Sequence, residues 1–268
     1  MKYTFNVEKV TKDCIQWIRD WFEKNGKGCN AVIGMSGGKD STIVAKLCVD
    51  ALGADRVIGV AMPDYGQGIN DADKICKYLG IRYWVAHIGP ACDGIRNLSL
   101  VTDGQTVNGI WSEQSEQNIP PRIRMTMLFA ISQTANARVA NTCNLSEDYV
   151  GYATLFGDAA GSFAPLSQLT VSEIYQIGDY LGLPYEWVHK VPDDGLPHSS
   201  PDEQKFGFTY AELDRYIREG IEPEGACTNN PDELKIDKIK RMHRNNKFKT
   251  DIVRIPCFFP EFGFEDYM

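Results

Sequence analysis

The chain has no G-x-x-x-x-G-K-[ST] and no G-x-G-x-x-G, so the two most familiar glycine-rich nucleotide loops are excluded. Its eight cysteines, at 14, 29, 48, 76, 92, 143, 227 and 257, form no C-x-x-C and no close pair, which excludes a zinc ribbon or a thioredoxin-type redox motif. Several fall in apolar helical or strand patterns, as free buried thiols do, and the compartment expected from them is the reducing cytoplasm. No apolar run approaches about 18 residues, so no membrane-spanning helix is expected. The opening MKYTFNVEKVTKD lacks the apolar core of a signal peptide. Lys and Arg number 28 against 36 Asp and Glu, a net charge of −8, which argues against a nucleic-acid partner. There is no internal repeat, low-complexity tract or convincing linker. With 268 residues, 43% hydrophobic and 24% charged, the composition is that of an ordinary globular chain.

What is present is Val32-Ile33-Gly34-Met35-Ser36-Gly37-Gly38-Lys39-Asp40-Ser41-Thr42. An apolar run ends in Ser-Gly-Gly and a helical pattern follows, which predicts strand, tight loop and helix. The helix N-terminus offers free N–H groups and a favourable dipole to an anion. Asp40 would repel a bare phosphate, and its presence makes sense if it holds Mg²⁺ that bridges to the phosphates. The loop therefore reads as a seat for metal-bound nucleotide phosphate.

Around it, strands are predicted at Ala31–Met35, Val57–Met62, Tyr83–Ile88 and Arg138–Thr142, alternating with helices at Asp40–Leu52 and Asp71–Tyr78. This alternation predicts an α/β, doubly wound, mostly parallel sheet flanked by helices, Rossmann-like and a single domain over 1–268, with ligands at the carboxyl ends of the strands. Residues 1–28 carry a helix with Trp17 and Trp21 in a wide apolar stripe, read either as an internal core face or as a dimer interface. Pro120-Pro121 are expected to open a helix running to about Asn136, and Pro231-Asp232-Glu233 another to about Asn245. Thr170 and Thr209 are expected helix caps. Residues 89–116 are expected to form short helices over a sheet edge. Residues 192–207, rich in Pro, Gly, Ser and Asp, are expected to form a mobile loop that closes over the site, with His198 and Lys205 in reach of phosphate.

The pattern S-G-G-x-D-S resembles the pyrophosphatase loop of the N-type ATP pyrophosphatases. Together with Asn118-Ile119-Pro120-Pro121-Arg122-Ile123-Arg124-Met125, Thr142-x-Asn144-x-Ser146-Glu147, Gly151-Tyr152, Gly157-Asp158 and Pro165-Leu166, the chain resembles the ammonia-dependent NAD⁺ synthetases from about residue 30 to 260. That resemblance implies adenylation of deamido-NAD⁺ by ATP, with ammonia as the second substrate, Mg²⁺ as cofactor and a homodimer as the assembly. It implies that Gly34, Met35, Ser36, Gly37, Gly38, Lys39, Asp40, Ser41, Met62 and Thr142 bind ATP. Asn118, Arg122 and Tyr152 would bind deamido-NAD⁺, Asp40 and Glu147 would hold the metal, and Asp158 and Lys249 would join Asp40 in catalysis. Leu155, Ser162, Val171 and Asp193 depart from residues common in that family. Another adenylating ligase, acting on a purine or tRNA, and a non-catalytic ATP-binding regulator are the competing readings; the paired acidic residues Asp40 and Glu147 argue against the regulator.

Overall fold

The structure is a computed structural model that describes residues 2–65, 67–102, 105–107, 111–190, 201–252 and 255–265. The elements run in the order β1 (Lys2–Thr4), α1 (Val7–Asn25), β2 (Asn30–Gly34), α2 (Lys39–Leu52), β3 (Val57–Ala61), α3 (Asn70–Leu79), β4 (Arg82–Val85), α4 (Gly89–Arg96), β5 (Leu100–Thr102) and β6 (Gln105–Val107). They continue with α5 (Glu113–Thr134), β7 (Ala137–Val139), α6 (Leu145–Val150), α7 (Val171–Tyr180), α8 (Tyr185–Val188), α9 (Asp202–Phe206), α10 (Tyr210–Glu219), β8 (Ala226–Cys227), β9 (Asn230–Leu234), α11 (Lys235–Ile252) and β10 (Gly263–Glu265).

The four strands β4-β3-β2-β7 form one parallel sheet. Ile33 sits opposite Gly59, and Val32 opposite Val139. Every residue of β3 is buried, as expected of a parallel strand covered on both faces. One face is packed by α1, α2, α3 and α7 through Ile18, Phe22, Leu47, Ile75 and Ile174. The other is packed by α4 and α5 through Cys92, Met125 and Leu128. A third cluster, with Val150, Phe206, Phe208, Leu213 and Ile239, joins α6, α9, α10 and α11. Val171 lies in that cluster and Ile174 in the first, so α7 binds the two together as a single domain. Among the described residues no helix is long and apolar enough to cross a membrane.

The expected strands and the caps at Thr170 and Thr209 are all found. Several expectations are corrected. Helix α5 begins at Glu113, well before the prolines, because Ser112 caps it by accepting a hydrogen bond from Ser115 N at 3.2 Å; Pro120 and Pro121 lie inside it. Pro231-Asp232-Glu233 belong to an exposed hairpin strand, where a missing N–H is tolerated, and the helix starts only at Lys235. Among its described residues, the region 89–116 holds α4, the antiparallel pair β5 and β6, and the first turn of α5. Trp17 and Trp21 are half-buried in their own chain, Trp21 stacked on Phe163 and Trp17 tilted on Phe258, so the stripe packs at least in part against the chain's own core. Of residues 192–207, positions 192–200, with Asp193 and His198, lie outside the described residues. The remainder is a short helix whose Phe206 is buried, so that part is packed rather than loose.

Candidate active site

The strands end along one edge, and the site begins there. Met35 N extends the ladder by one bond to Val60 O at 2.8 Å, after which Ser36-Gly37-Gly38 turn into α2. Gly37 has φ +79°, and a Cβ on it would lie 2.9 Å from Asp71 Cβ, so no other residue fits without displacing α3. The loop's hydroxyls hold its shape. Ser36 Oγ accepts from Gly38 N at 3.1 Å, and Ser41 and Thr42 donate to Gly38 O at 3.1 and 2.7 Å. No side chain caps α2, which leaves its first-turn N–H groups to an anion.

Asp40 stands in that first turn. Its Oδ2 lies 2.8 Å from Lys39 Nζ, and its Oδ1 accepts from Asn144 Nδ2 at 3.3 Å. Asn144 in turn caps α6, accepting from Glu147 N at 3.0 Å. One carboxamide thus ties the two helices whose first turns carry the acidic pair. Burial, followed by the nearby charge of Asp40, pushes the Glu147 carboxyl well above the usual range, with Lys39 opposing. Beneath it, Ser146 donates to Asp214 at 2.5 Å and accepts from Val171 N at 3.0 Å, while Asp214 also accepts from Ser172 N and Oγ at 2.8 and 2.6 Å. This buried network fixes the start of α6 on α7 and α10. Two carboxylates and no sulfur or imidazole suit a hard divalent cation that keeps positions for water and phosphate. A group of three His, Cys, Asp or Glu placed to hold a metal alone is absent among the described residues.

The second half of the site surrounds residues 151–158. Thr154 donates to Asn118 Oδ1 at 2.8 Å, and Arg122 Nε donates to Leu155 O at 3.2 Å, both from α5. From α11, Lys249 Nζ donates to Gly151 O and Ala153 O at 2.7 and 3.0 Å. From the end of β7, Asn141 donates to Asp158 O at 2.8 Å. Asp158 keeps an exposed edge but is enclosed enough that desolvation raises its carboxyl pKa, against the opposing bond from Thr154 and the charge of Lys249. Burial and the charge of Asp158 lift Asp148 to about 7. Tyr152 packs edge-on against Phe206, and its hydroxyl meets Lys205 at 3.0 Å.

The predicted residues therefore fall into two groups. The loop Gly34 to Ser41, Asp40 and Glu147 form one, and Asn118, Arg122, Tyr152, Asp158 and Lys249 form the other. Thr142 sits past the end of β7, on the segment that leads from one group to the other. Met62 lies at the end of β3, with its carbonyl accepting from Arg124 Nε at 3.1 Å. Sequence reasoning gave no role to Arg124, Asn144 or Asp214. Arg124 could have been found from its place two positions after Arg122, which turns it to the sheet side of the helix. Asn144 could have been found as a cap three residues before Glu147. Nothing local marks Asp214. Of the departures, Ser162 Oγ accepts from Val139 N at 3.2 Å, Val171 is buried, and Leu155 serves Arg122 through its carbonyl.

The NAD synthase family model matches residues 10–253. The NH(3)-dependent NAD(+) synthetase of Methanococcus aeolicus is 36% identical over 216 residues, covering 79% of this chain and 82% of that protein. Among solved structures, NMN synthetase from Francisella tularensis is similar with a TM-score of 0.77 and 26% identity, over 97% of this chain and 100% of that one. The NH3-dependent NAD synthetase of Campylobacter jejuni, in complex with the nitrate ion, is similar with a TM-score of 0.69 and 28% identity, over 96% and 99%.

Proposed function

Because the chain belongs to the NAD synthase family, we propose that it joins ammonia to the nicotinate carboxylate of deamido-NAD⁺ in an ATP-dependent amidation that releases AMP and pyrophosphate. The observation that carries this reading is the pairing of an uncapped, glycine-shaped helix N-terminus with Asp40 and Glu147 across Asn144. A free carboxylate is a poor electrophile because its leaving group would be oxide. Adenylation by attack on the α-phosphorus makes it a mixed anhydride whose leaving group is AMP.

In this reading the N–H groups of α2 and the loop seat the β- and γ-phosphates and hold them for in-line departure. Asp40 and Glu147 would hold Mg²⁺, which supplies charge neutralisation to the leaving pyrophosphate when bound. Asn118 and Arg122 fix the 151–158 loop and place the nicotinate end. Asp158, with its raised carboxyl pKa and its position beside Lys249, accepts the proton that ammonium or the attacking amine gives up. Lys249 holds Asp158's loop through two backbone carbonyls and offers a positive charge to the acyl oxygen.

The similarity to an NMN synthetase over the whole of that chain favours a second reading of the acceptor. Nicotinate mononucleotide presents the same carboxylate without the adenylyl half. Pyrophosphate release from ATP, measured with ammonium chloride and either acceptor, decides between them. Turnover with neither, or with xanthosine monophosphate instead, overturns both. Glutamine in place of ammonium should give no comparable rate with the purified chain. A homodimer is part of the proposal, supported by the exposed Leu98, Leu100 and Val101 near the β5–β6 hairpin; light scattering that returns a monomer mass at micromolar concentration overturns it.

A further inference from the structure

The S-G-G-x-D-S pattern leaves its fourth position open, and here it is Lys39. A lysine at the start of a surface helix ordinarily extends into water. Lys39 is only 4% exposed. Its Nζ lies 2.8 Å from Asp40 Oδ2, 5.8 Å from the ring centre of Tyr175 and 6.0 Å from that of Tyr210. With Asn144 on Oδ1, both oxygens of Asp40 are occupied by the protein itself.

Each oxygen keeps a further lone pair, so it is charge rather than occupancy that opposes a divalent ion here: the Lys39 Nζ, 2.8 Å from Oδ2, would repel it. The Asn144 amide is anchored by its capping bond to Glu147 N, whereas the lysine head is on a flexible stem. We propose that Lys39 is a resident cation of the acidic pair, that a divalent metal must displace it from Asp40, and that the displaced ammonium then takes an oxygen of the nucleotide's β- or γ-phosphate. The result is coupling. Metal alone binds weakly because it competes with Lys39, and metal with nucleotide binds well because the phosphate receives the displaced charge. This inference rests on reading Asp40 and Glu147 as the metal ligands.

The test is Mn²⁺ binding to nucleotide-free protein, followed by the electron paramagnetic resonance of free Mn²⁺, in the wild type, Lys39→Met and Lys39→Met/Asp40→Asn. It is paired with calorimetric binding of Mn²⁺ with α,β-methylene-ATP. Lys39→Met should bind Mn²⁺ alone at least tenfold more tightly than wild type, yet bind the metal–nucleotide analogue more weakly. The double variant should lose the gain. Equal Mn²⁺ affinity in wild type and Lys39→Met, with binding still dependent on Asp40, overturns the inference and leaves the metal site standing. Mn²⁺ bound by no variant even with the analogue overturns the metal site and the inference together. Lys39→Gln provides the same comparison should methionine beside Asp40 prevent folding.

Discussion

Asn246 on α11 lies directly over the α-carbon of Gly151, so close that a Cβ there would meet Asn246 Cβ at 2.0 Å. Gly151 also closes α6 with φ +73°. A glycine's missing side chain is thus what allows α11 to dock on the segment that begins at Gly151, and docking is what brings Lys249 to Gly151 O and Ala153 O.

Gly151→Ala should destabilise the protein by at least about 1–2 kcal/mol from the left-handed backbone alone, with a further loss from the clash. The effect on kcat/KM should exceed the effect on folding at temperatures where the variant is intact. Adding Asn246→Gly should recover the clash and not the backbone strain, so the two changes should be non-additive in thermal unfolding. Simple additivity would show that the close approach is not the constraint.

Glu147→Gln should abolish pyrophosphate release while melting no lower than wild type in metal-free buffer. Losing one partner of a developing charge costs on the order of 2.7–4 kcal/mol in the transition state. The sign for stability is the opposite. A carboxyl raised by burial is protonated more readily in the folded state, so folding loses stability as pH rises above the ordinary carboxylate value. Glutamine removes that loss. Asp40→Ala should also abolish pyrophosphate release. A variant of either residue that retains more than about a tenth of wild-type activity with Mg²⁺ would remove it from the metal site.

Asp158→Asn should spare adenylation and slow the ammonia step. The raised Asp158 carboxyl puts its deprotonation closer to neutrality, so the wild-type ammonia step should fall on acidification in addition to the fall in free ammonia. After normalising to free ammonia, Asp158→Asn should lose that acid limb. Pyrophosphate release and amide formation falling together would argue for a structural role.

Asp214→Ala should leave Ser146, Ser172 Oγ and Ser172 N without their shared acceptor. A buried donor left unsatisfied costs about 1–3 kcal/mol, so the melting temperature should fall by several degrees, read by calorimetry. Nucleotide binding should weaken with it, because the start of α6 carries Glu147.

The sheet and its phosphate loop were legible because each depends on local signals. Continuous apolar runs of strand length, a Ser-Gly-Gly turn and a Thr cap leave marks within a few residues. Arg124 and Asn144 leave such marks too, once a helix face or a cap is asked what it serves. Asp214 does not, because its partners Ser146 and Ser172 are 68 and 42 residues away in the chain. The burial of Lys39 was hidden for a different reason. Side-chain type predicts exposure for lysine, and only the neighbouring carboxylates and rings, brought by α6, α7 and α10, reverse it. The start of α5 was misplaced because a Pro-Pro pair ordinarily marks a first turn, and here a serine cap further upstream prevails.

Those two prolines have one more consequence. Lacking N–H groups, Pro120 and Pro121 cannot donate to the carbonyls of Glu116 and Gln117. Helix α5 is continuous in its path but interrupted in its bonding. The turn bearing Glu116, which pairs with Arg96 at 3.0 Å, is therefore only loosely coupled to the turns bearing Met125 and Leu128 in the core. Amide exchange should divide the helix at this point, the upstream amides opening at lower free energy than the downstream ones. Asn118 would then lie on the part that opens first, and Arg122 on the part that holds.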